Sequence, residues 1–258
     1  MAIPIVLANT TIPILGAVDT AVVGQLGLAI PIGAVGIGAI IITAIYWLFG
    51  FLRMGTTGLA AQAIGSSDKP ETSALLVRGI IIGFTAGLIL IITQVPIFLG
   101  ALQLSPASME VESLAQKYLQ IRVYSAPAAI ALFGITGWLI AKEKTRAVLL
   151  LQLVLNGINI ALDLVFVLKL GWGVEGVAIA TLIAEWSGLL FGLWLAREGF
   201  NNGYWKNWLQ IFDRARLVQM TKVNSDIMIR SILLEISSVS FLFLGSSFDD
   251  ATLAANQV

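Results

Sequence analysis

Apolar residues run through this chain in long stretches that carry few charges and are separated by short polar breaks. A hydrocarbon core about 30 Å thick requires about 20 apolar residues per helix, so each stretch predicts a membrane-spanning helix. Six complete spans are predicted, at 3–23, 32–64, 76–99, 118–140, 148–168 and 174–196. A seventh begins near residue 220 and runs toward residue 248. The second is long for one crossing, so we expect it to tilt or to extend past the membrane.

Residues that end helices occupy the breaks, at 66–71, 105–108, 142–146 and 171–173. A longer connection at 201–216 places Trp205 and Trp208 beside Lys206 and Arg214. This mixture of aromatic and basic residues is typical of an amphipathic helix that lies in the membrane interface.

Basic residues lie in alternate connections, and this pattern predicts the orientation of the protein in the membrane. They cluster at 69–78, 142–146 and 197–222, so we expect these connections and the N-terminus to be cytoplasmic. The first span lacks a basic leader and a cleavage site and carries Asp19, which argues against a secretory signal peptide. We expect a multi-pass protein of the plasma (inner) membrane.

Composition supports the membrane assignment and excludes several chemistries. Hydrophobic residues make up 58% of the 258 residues and charged residues only 12%, which is too little polar surface for a soluble core. The sequence has no Cys and no His, so disulfides, thiolate metal sites and histidine relays are excluded and proton chemistry falls to Asp and Glu. The formal net charge of zero argues against a nucleic-acid partner. No lysine-bearing phosphate motif is present, so ATP is not the evident energy source and no cofactor is expected.

Asp19 is the first charge that the membrane assignment does not explain. An Asp at the centre of a membrane helix costs about 2.5 to 3.5 kcal/mol on insertion scales, and the many Ile, Val and Leu residues of the first span can offset this cost. One interpretation is that Asp19 lies near a helix end and reaches the interface. The interpretation that we favour places it at a cavity-facing site, where its protonation can serve a function.

A polar stripe marks the fifth span. Gln152, Asn156, Asn159 and Asp163 are spaced four, three and four residues apart, so they share one face of a helix. Interhelical hydrogen bonding would explain the amides alone. Because Asp163 lies in the same stripe, we favour a functional site.

Other ionisable residues within or near the spans are open to more than one interpretation. For Arg53 and Arg122 we favour a structural ion pair or a lipid headgroup contact, because a guanidinium does not release its proton at physiological pH. Glu185 follows Thr181 by one helical turn, and its role stays open. Near the start of the seventh span, Asn224, Asp226 and Arg230 would form either a second site or a cytoplasmic anchor.

Several segments resemble a known family. Residues 13–27, PILGAVDTAVVGQLG, resemble the first-helix signature of the multidrug and toxin extrusion (MATE) exporters, and residues 51–63, FLRMGTTGLAAQA, resemble the DinF-type branch in particular. The resemblance continues at 137–139, 156–166, 171–176 and 224–230, so it extends over essentially the whole chain.

This resemblance implies an all-α polytopic membrane protein. MATE proteins have twelve helices in two lobes of six, related by a pseudo-two-fold axis along the membrane normal. Residues 1–200 would form the six-helix N-terminal lobe, 201–219 a cytoplasmic amphipathic linker, and 220–258 the start of the second lobe with its first helix. The chain is then an N-terminal fragment, and we expect the missing C-terminal lobe to be its partner.

The resemblance also implies roles for particular residues. In prokaryotic relatives a first-helix aspartate is implicated in cation coupling, and Asp19 matches it, while Asn159 and Asp163 match a fifth-helix Asn and Asp. Tyr118 and Thr181 match a fourth-helix Tyr and a sixth-helix Thr of the same network.

Four further residues complete the predicted site. Asn156 and Glu185 belong to its supporting polar network. Pro4 and Pro13 interrupt the first helix, each removing a backbone hydrogen bond, and Pro4 is the closer match to the family's bending point.

Either H+ or Na+ could be the coupling ion. Oxygen atoms of Asp163, Asn159 and Thr181 could bind Na+, which is a hard cation. A proton needs only one carboxylate in an apolar setting such as that of Asp19, so we favour H+.

The predicted function is secondary active antiport that exports amphipathic, often cationic compounds in exchange for H+ or Na+. An alternative is a lipid-linked precursor flippase of the same superfamily, although the sequence does not indicate the wide basic cavity that would favour it. A distant alternative is an intramembrane aspartyl protease. The contexts Val18-Asp19-Thr20 and Leu162-Asp163-Leu164 differ from the Tyr-Asp and Gly-x-Gly-Asp contexts of that enzyme, so no enzyme activity is expected.

Overall fold

A computed structural model describes residues 6, 18–25, 27–103, 107–201 and 203–246, and within these ranges the protein is almost entirely helical and contains no strand. We label the helices in chain order. They are α1 (18–24), α2 (Ala29–Trp47), α3 (Gly50–Gly65), α4 (Lys69–Gln103), α5 (Met109–Arg122), α6 (Ala126–Ala141), α7 (Thr145–Asp163), α8 (Gly173–Leu195), α9 (Trp208–Ile211) and α10 (Arg214–Ser246).

Five stretches of the described chain are long and apolar enough to cross a membrane. They are Ala29–Gly65, Lys69–Gln103, Met109–Ala141, Thr145–Lys169 and Gly173–Leu195, and they correspond to the second to sixth predicted spans. Most of the first predicted span, including Pro4 and Pro13, lies outside the described residues. The predicted all-α polytopic fold is confirmed.

Helix α10 begins ahead of the last predicted span. Helix α10 begins at Arg214 rather than near residue 220, because Asp213 caps it: the Arg216 backbone N–H donates to Asp213 Oδ1 at 2.9 Å. Arg216 also lies 3.6 Å from Asp68 in the α3–α4 connection. The charged residues of the connection therefore belong in part to the helix itself.

Three of the spans change helix type or break along their length. The second span, 37 residues long, breaks between α2 and α3, and a 3-10 turn at Val123–Ser125 joins α5 to α6. Helix α7 continues as a π-helical segment, Leu164–Lys169, directly after Asp163. π-Helical turns inside longer helices are frequent at functional sites.

Small residues bring α4 and α6 close together. A Cβ built on Gly79 would lie 3.2 Å from the Cα of Gly134, and one on Gly83 would lie 2.6 Å from the Cα of Ala131. One turn further on, Gly87 faces the backbone of Pro127. The absence of side chains at these positions therefore allows the two helix backbones to approach closely.

The predicted cytoplasmic connections meet at one end of the helix bundle. Lys142 and Lys144 lie 3.4 and 2.6 Å from the Glu198 carboxylate, and Ser73 donates to the Gly199 carbonyl at 2.7 Å. Burial by itself raises the pKa of Glu198, but the hydrogen bond from Lys144 and the charge of Lys142 outweigh it and hold this pKa below its usual value. The contact therefore persists at pH values below those at which an exposed glutamate loses its charge, and is lost as the pH falls further.

Arg78 attaches the connection before α10 to the rest of the bundle. Its buried guanidinium pairs with Glu71 at 2.6 Å and donates to the carbonyls of Ile211 at 2.7 Å and Gln210 at 2.6 Å. These two carbonyls belong to the last turn of α9, so Arg78 caps that short helix. The residue that the sequence assigned to a cytoplasmic loop is thus a buried anchor within α4.

Candidate functional site

The polar stripe of α7 faces the interior of the helix bundle. Asn156 is buried, and Asn159 and Asp163 have no exposed surface. The Asn159 amide nitrogen donates to Asp163 Oδ2 at 3.1 Å and to the hydroxyl of Thr181 on α8 at 3.2 Å. Thr181 in turn donates to the Val177 carbonyl at 3.0 Å. Asn156, Asn159 and Asp163 therefore share a buried face of α7, as their spacing predicts.

Asp19 on α1 lies beside this cluster. It is 5% exposed, and its carboxyl group lies close enough to that of Asp163 for the two to interact. An ionised carboxylate only accepts hydrogen bonds, so two carboxyl groups can bond to each other only when one carries a proton. A proton on one of the two carboxyl groups would allow such a hydrogen bond.

The cluster has more acceptor oxygens than donors. Among the described residues, Asp19 Oδ1, Asp163 Oδ1 and Asn159 Oδ1 are buried and have no hydrogen-bond partner. Buried acceptors without a partner cost free energy, which a bound proton or metal cation would recover. Hard cations bind oxygen ligands, so the donor set fits Na+ as well as H+.

A buried ion pair lies beside the two aspartates. Arg122 at the end of α5 contacts Glu185 of α8, with Nη1 3.0 Å from Oε2 and Nη2 donating to Oε1 at 3.1 Å. Arg122 Nη1 also donates to Ser125 Oγ at 2.8 Å, and the Tyr46 hydroxyl donates to the Arg122 carbonyl at 3.3 Å. The interpretation of Arg122 as a member of an ion pair is confirmed.

Tyr118 connects the ion pair to the aspartates. Its ring is buried against Gly38 of α2, and its hydroxyl is within hydrogen-bonding reach of Arg122. Tyr118 also lies near enough to Asp19 for an electrostatic interaction. The structure thus brings Asp19, Tyr118, Asn159, Asp163, Thr181 and Glu185 into one buried network.

Two members of this network carry no sequence signal. Tyr46 lies in a run of apolar residues, and Ser125 is one serine among many. The 3-10 turn that presents Ser125 could have been inferred only from Pro127, which follows it in the first turn of α6.

Arg53 and the α10 residues lie apart from this network. No described carboxylate pairs with Arg53, which lines a cavity of about 400 Å³ between α2, α3, α6 and α10. Tyr46, Trp47, Met54, Phe133 and Met228 also line it. Asn224 is buried against Gly55, whereas Asp226 and Arg230 are exposed.

Comparison with known proteins gives consistent matches. The sequence model of the family described as MatE matches residues 4–165. DNA damage-inducible protein F of Escherichia coli (strain K12) is 36% identical over 259 residues, which cover 100% of this chain and 56% of that protein.

Solved structures match as well. A crystal structure of a MATE protein in the bent conformation gives a TM-score of 0.83 at 24% identity and covers 98% of this chain and 57% of that one. An inward-facing multidrug resistance MATE family transporter gives a TM-score of 0.72 at 25% identity and covers 87% of this chain and 50% of that one. The chain spans about half the length of the relatives it matches.

Proposed function

The chain belongs to the MatE family of membrane transporters, and from this premise we propose that it carries the cation-coupling site of a secondary active antiporter. The observation that supports this proposal is the buried pair formed by Asp19 and Asp163. Both carboxyl groups lie inside the helix bundle, and both have an oxygen without a described partner. Such a pair binds a cation in one conformation and releases it in another.

Coupling requires that the cation stabilise one conformation more than the other. When both carboxyl groups are ionised, their two negative charges repel each other in a poorly solvated site. This repulsion favours a larger separation of α1 and α7. Binding of one cation removes this repulsion and allows α1 and α7 to approach. Movement of the cation inward would then drive movement of a compound outward.

We propose H+ as the coupling ion. A single proton on Asp19 or Asp163 completes the hydrogen bond between the two carboxyl groups. Na+ would need several oxygen ligands, and Asp163, Asn159 and Thr181 are the residues that would supply them. The Thr181 hydroxyl already donates to a carbonyl and accepts from Asn159, so only one lone pair of its oxygen remains for a cation.

The exported compounds are proposed to be amphipathic. The cavity of about 400 Å³ beside α10 is lined mainly by aromatic and aliphatic side chains, together with methionines, which adapt to ligands of different shape. A second lobe would complete this cavity. We place the boundaries at residues 1–200 for the first lobe, 201–219 for the linker and 220–258 for the start of the second lobe, in a plasma-membrane protein whose N-terminus is cytoplasmic.

The two alternatives are not favoured. MATE proteins are transporters rather than enzymes, so the closeness of Asp19 and Asp163 is not evidence for an aspartyl protease. A lipid-linked precursor flippase would need a wide basic cavity, whereas Arg53 is the one basic residue among those that line the described cavity beside α10.

Replacement of Asp19 by Asn in the full-length transporter tests the proposal. The amide preserves the shape of the side chain but cannot exchange a proton, so Asp19→Asn is expected to abolish coupled efflux while the protein still inserts into the membrane. Glu110→Gln, the same carboxyl-to-amide change at an exposed position, is the control and is expected to behave as wild type. Drug susceptibility of cells that contain equal amounts of each variant is the measurement. Wild-type resistance with Asp19→Asn would contradict the proposal.

A further inference from the structure

We propose that Glu185 is a positioning residue that holds the Arg122 guanidinium away from the Asp19–Asp163 pair, so that the coupling cation rather than Arg122 neutralises the pair. This inference rests on the proposed function. The ion pair joins α5 to α8, with the two guanidinium nitrogens at 3.0 and 3.1 Å from the two carboxylate oxygens. Nη2 donates a hydrogen bond to Oε1, whereas Oε2 accepts none and contacts Nη1 only through its charge. Glu185 thus holds the guanidinium by one charge-assisted hydrogen bond and one close charge contact.

Further contacts hold the end of α5. Ser125 Oγ accepts from Arg122 Nη1 at 2.8 Å and donates to the Arg122 carbonyl at 2.6 Å. The Tyr46 hydroxyl contacts the same carbonyl. Arg122 Nε is buried and has no partner among the described residues. The guanidinium is therefore held through its two terminal nitrogens, and Glu185 supplies the only opposite charge among these contacts.

Three buried carboxyl groups lie near a single buried guanidinium, so the position of Arg122 determines which of them its charge neutralises. Side-chain exposure is only 7% for Arg122 and 12% for Glu185, and Asp19 and Asp163 are buried as well. Three carboxyl groups thus share one guanidinium, which stays charged at all physiological pH values. The titratable and charged groups that face the pair are Tyr118 and Arg122 from α5 and Glu185 from α8. Tyr46 from α2 faces Arg122 and Glu185.

Without Glu185, the aspartates would be the available partners for Arg122. The guanidinium already lies within electrostatic range of both Asp19 and Asp163. A side-chain rotation that moves it toward them would place a permanent positive charge where the coupling cation binds. Arg122 would then compete with that cation, because the pair needs only one positive charge to remove its repulsion.

A purely structural ion pair predicts a different result. Loss of one partner of a buried ion pair destabilises a protein, and this lowers the amount of folded transporter. It does not change the cation concentration at which the folded molecules work at half their maximal rate. That half-activating concentration therefore separates the two roles.

The test uses the full-length transporter reconstituted in vesicles, with efflux measured against the concentration of coupling cation. Glu185→Gln is expected to raise the half-activating cation concentration by at least about tenfold, because a freed guanidinium competes at the site. The double variant Arg122→Gln/Glu185→Gln removes the competitor and is expected to return this concentration to within about threefold of wild type. Glu185→Asp keeps the charge on a shorter side chain, so it is expected to raise the half-activating cation concentration by a smaller factor. This variant provides the test if Glu185→Gln fails to fold.

The control is a second ion pair between the same two helices. Lys117 of α5 lies 3.8 Å from Glu175 of α8, and both side chains are more than half exposed. Glu175→Gln is expected to leave the half-activating concentration unchanged. An unchanged concentration in Glu185→Gln or Glu185→Asp, or a double variant no better than Glu185→Gln, would overturn the inference. Asp19→Asn is measured alongside: if it keeps cation-dependent efflux, the proposed function fails, whatever the Glu185 variants show.

Discussion

Asn159 organises the buried cluster because its single amide group serves two neighbours. The two N–H bonds point to Asp163 and Thr181, which turns the amide oxygen away from both of them. That oxygen has no described hydrogen-bond partner, and neither does one oxygen on each aspartate. The side chain therefore fixes the orientation of Asp163 and at the same time contributes an acceptor to the site.

Asn159→Ala is expected to remove both functions of the amide. Asp163 would lose a donor inside the bundle, and a buried polar group without its partner costs about 1 to 3 kcal/mol. We expect a lower thermal unfolding temperature in detergent together with impaired coupled efflux. Asn201→Ala, a change of the same kind at an exposed position, is the control. Unfolding temperatures that are equal for Asn159→Ala and Asn201→Ala would show that the amide does not support the cluster.

Among the residues of the buried network, the sequence identified the ones whose chemistry or spacing is unusual for a membrane helix. Asp19 is a charge in an apolar run, and Asn156, Asn159 and Asp163 follow the helical period. Tyr46 could not be identified from the sequence, because its contacts with Arg122 and Ser125 join residues that are 76 and 79 positions apart in the chain. Contacts of that kind depend on how the helices pack and leave no periodic pattern.

Among the helices, the contact between α4 and α6 shows how much the fold depends on small residues. Gly79, Gly83 and Gly87 lie four residues apart on one face of α4 and meet the backbone of α6. Backbones approach this closely only where side chains are absent. This contact positions α6, which begins directly after the 3-10 turn that holds Ser125.

A single methyl group tests this packing. Gly83→Ala is expected to destabilise the protein by about 1 to 3 kcal/mol, because the new Cβ would meet the backbone of α6 and cannot be accommodated by a rotamer change. Gly58→Ala is the matched control, since Gly58 lies in α3 with open space around its position. That change is expected to be neutral or stabilising by up to about 1 kcal/mol. Thermal unfolding in detergent measures both, and equal stability of the two variants would contradict the packing described.

The spans were predictable at this scale, whereas the breaks within them were not. Apolar residues continue through the turn between α2 and α3 and through the π-helical segment Leu164–Lys169, so a rule based on length and hydropathy finds one span in each case. Helix α10 begins ahead of the last predicted span because Asp213, which lies among the charged residues of the connection, caps it. Local hydrogen bonds determine these features, and they do not alter the hydrophobic pattern.

At the scale of the described molecule, two sets of polar contacts bear on the proposed function, one in the interior and one at one end of the bundle. The interior set contains Asp19, Asp163 and the Arg122–Glu185 pair. The set at the end joins the connections between helices through Glu198 and Arg78, and Arg78 attaches the segment that leads into α10. A movement of α10 relative to the bundle would therefore act on the bundle through Arg78 and through the contact of Asn224 with α3.

Efflux driven by an imposed pH gradient tests most directly whether the Asp19–Asp163 pair couples proton entry to export. The measurement uses vesicles that contain the full-length transporter, with no Na+ on either side, and compares wild type with Asp19→Asn. We predict that the wild-type protein exports substrate when the gradient is imposed and that Asp19→Asn does not. Absence of wild-type transport under the pH gradient, with recovery when a Na+ gradient is added, would contradict proton coupling.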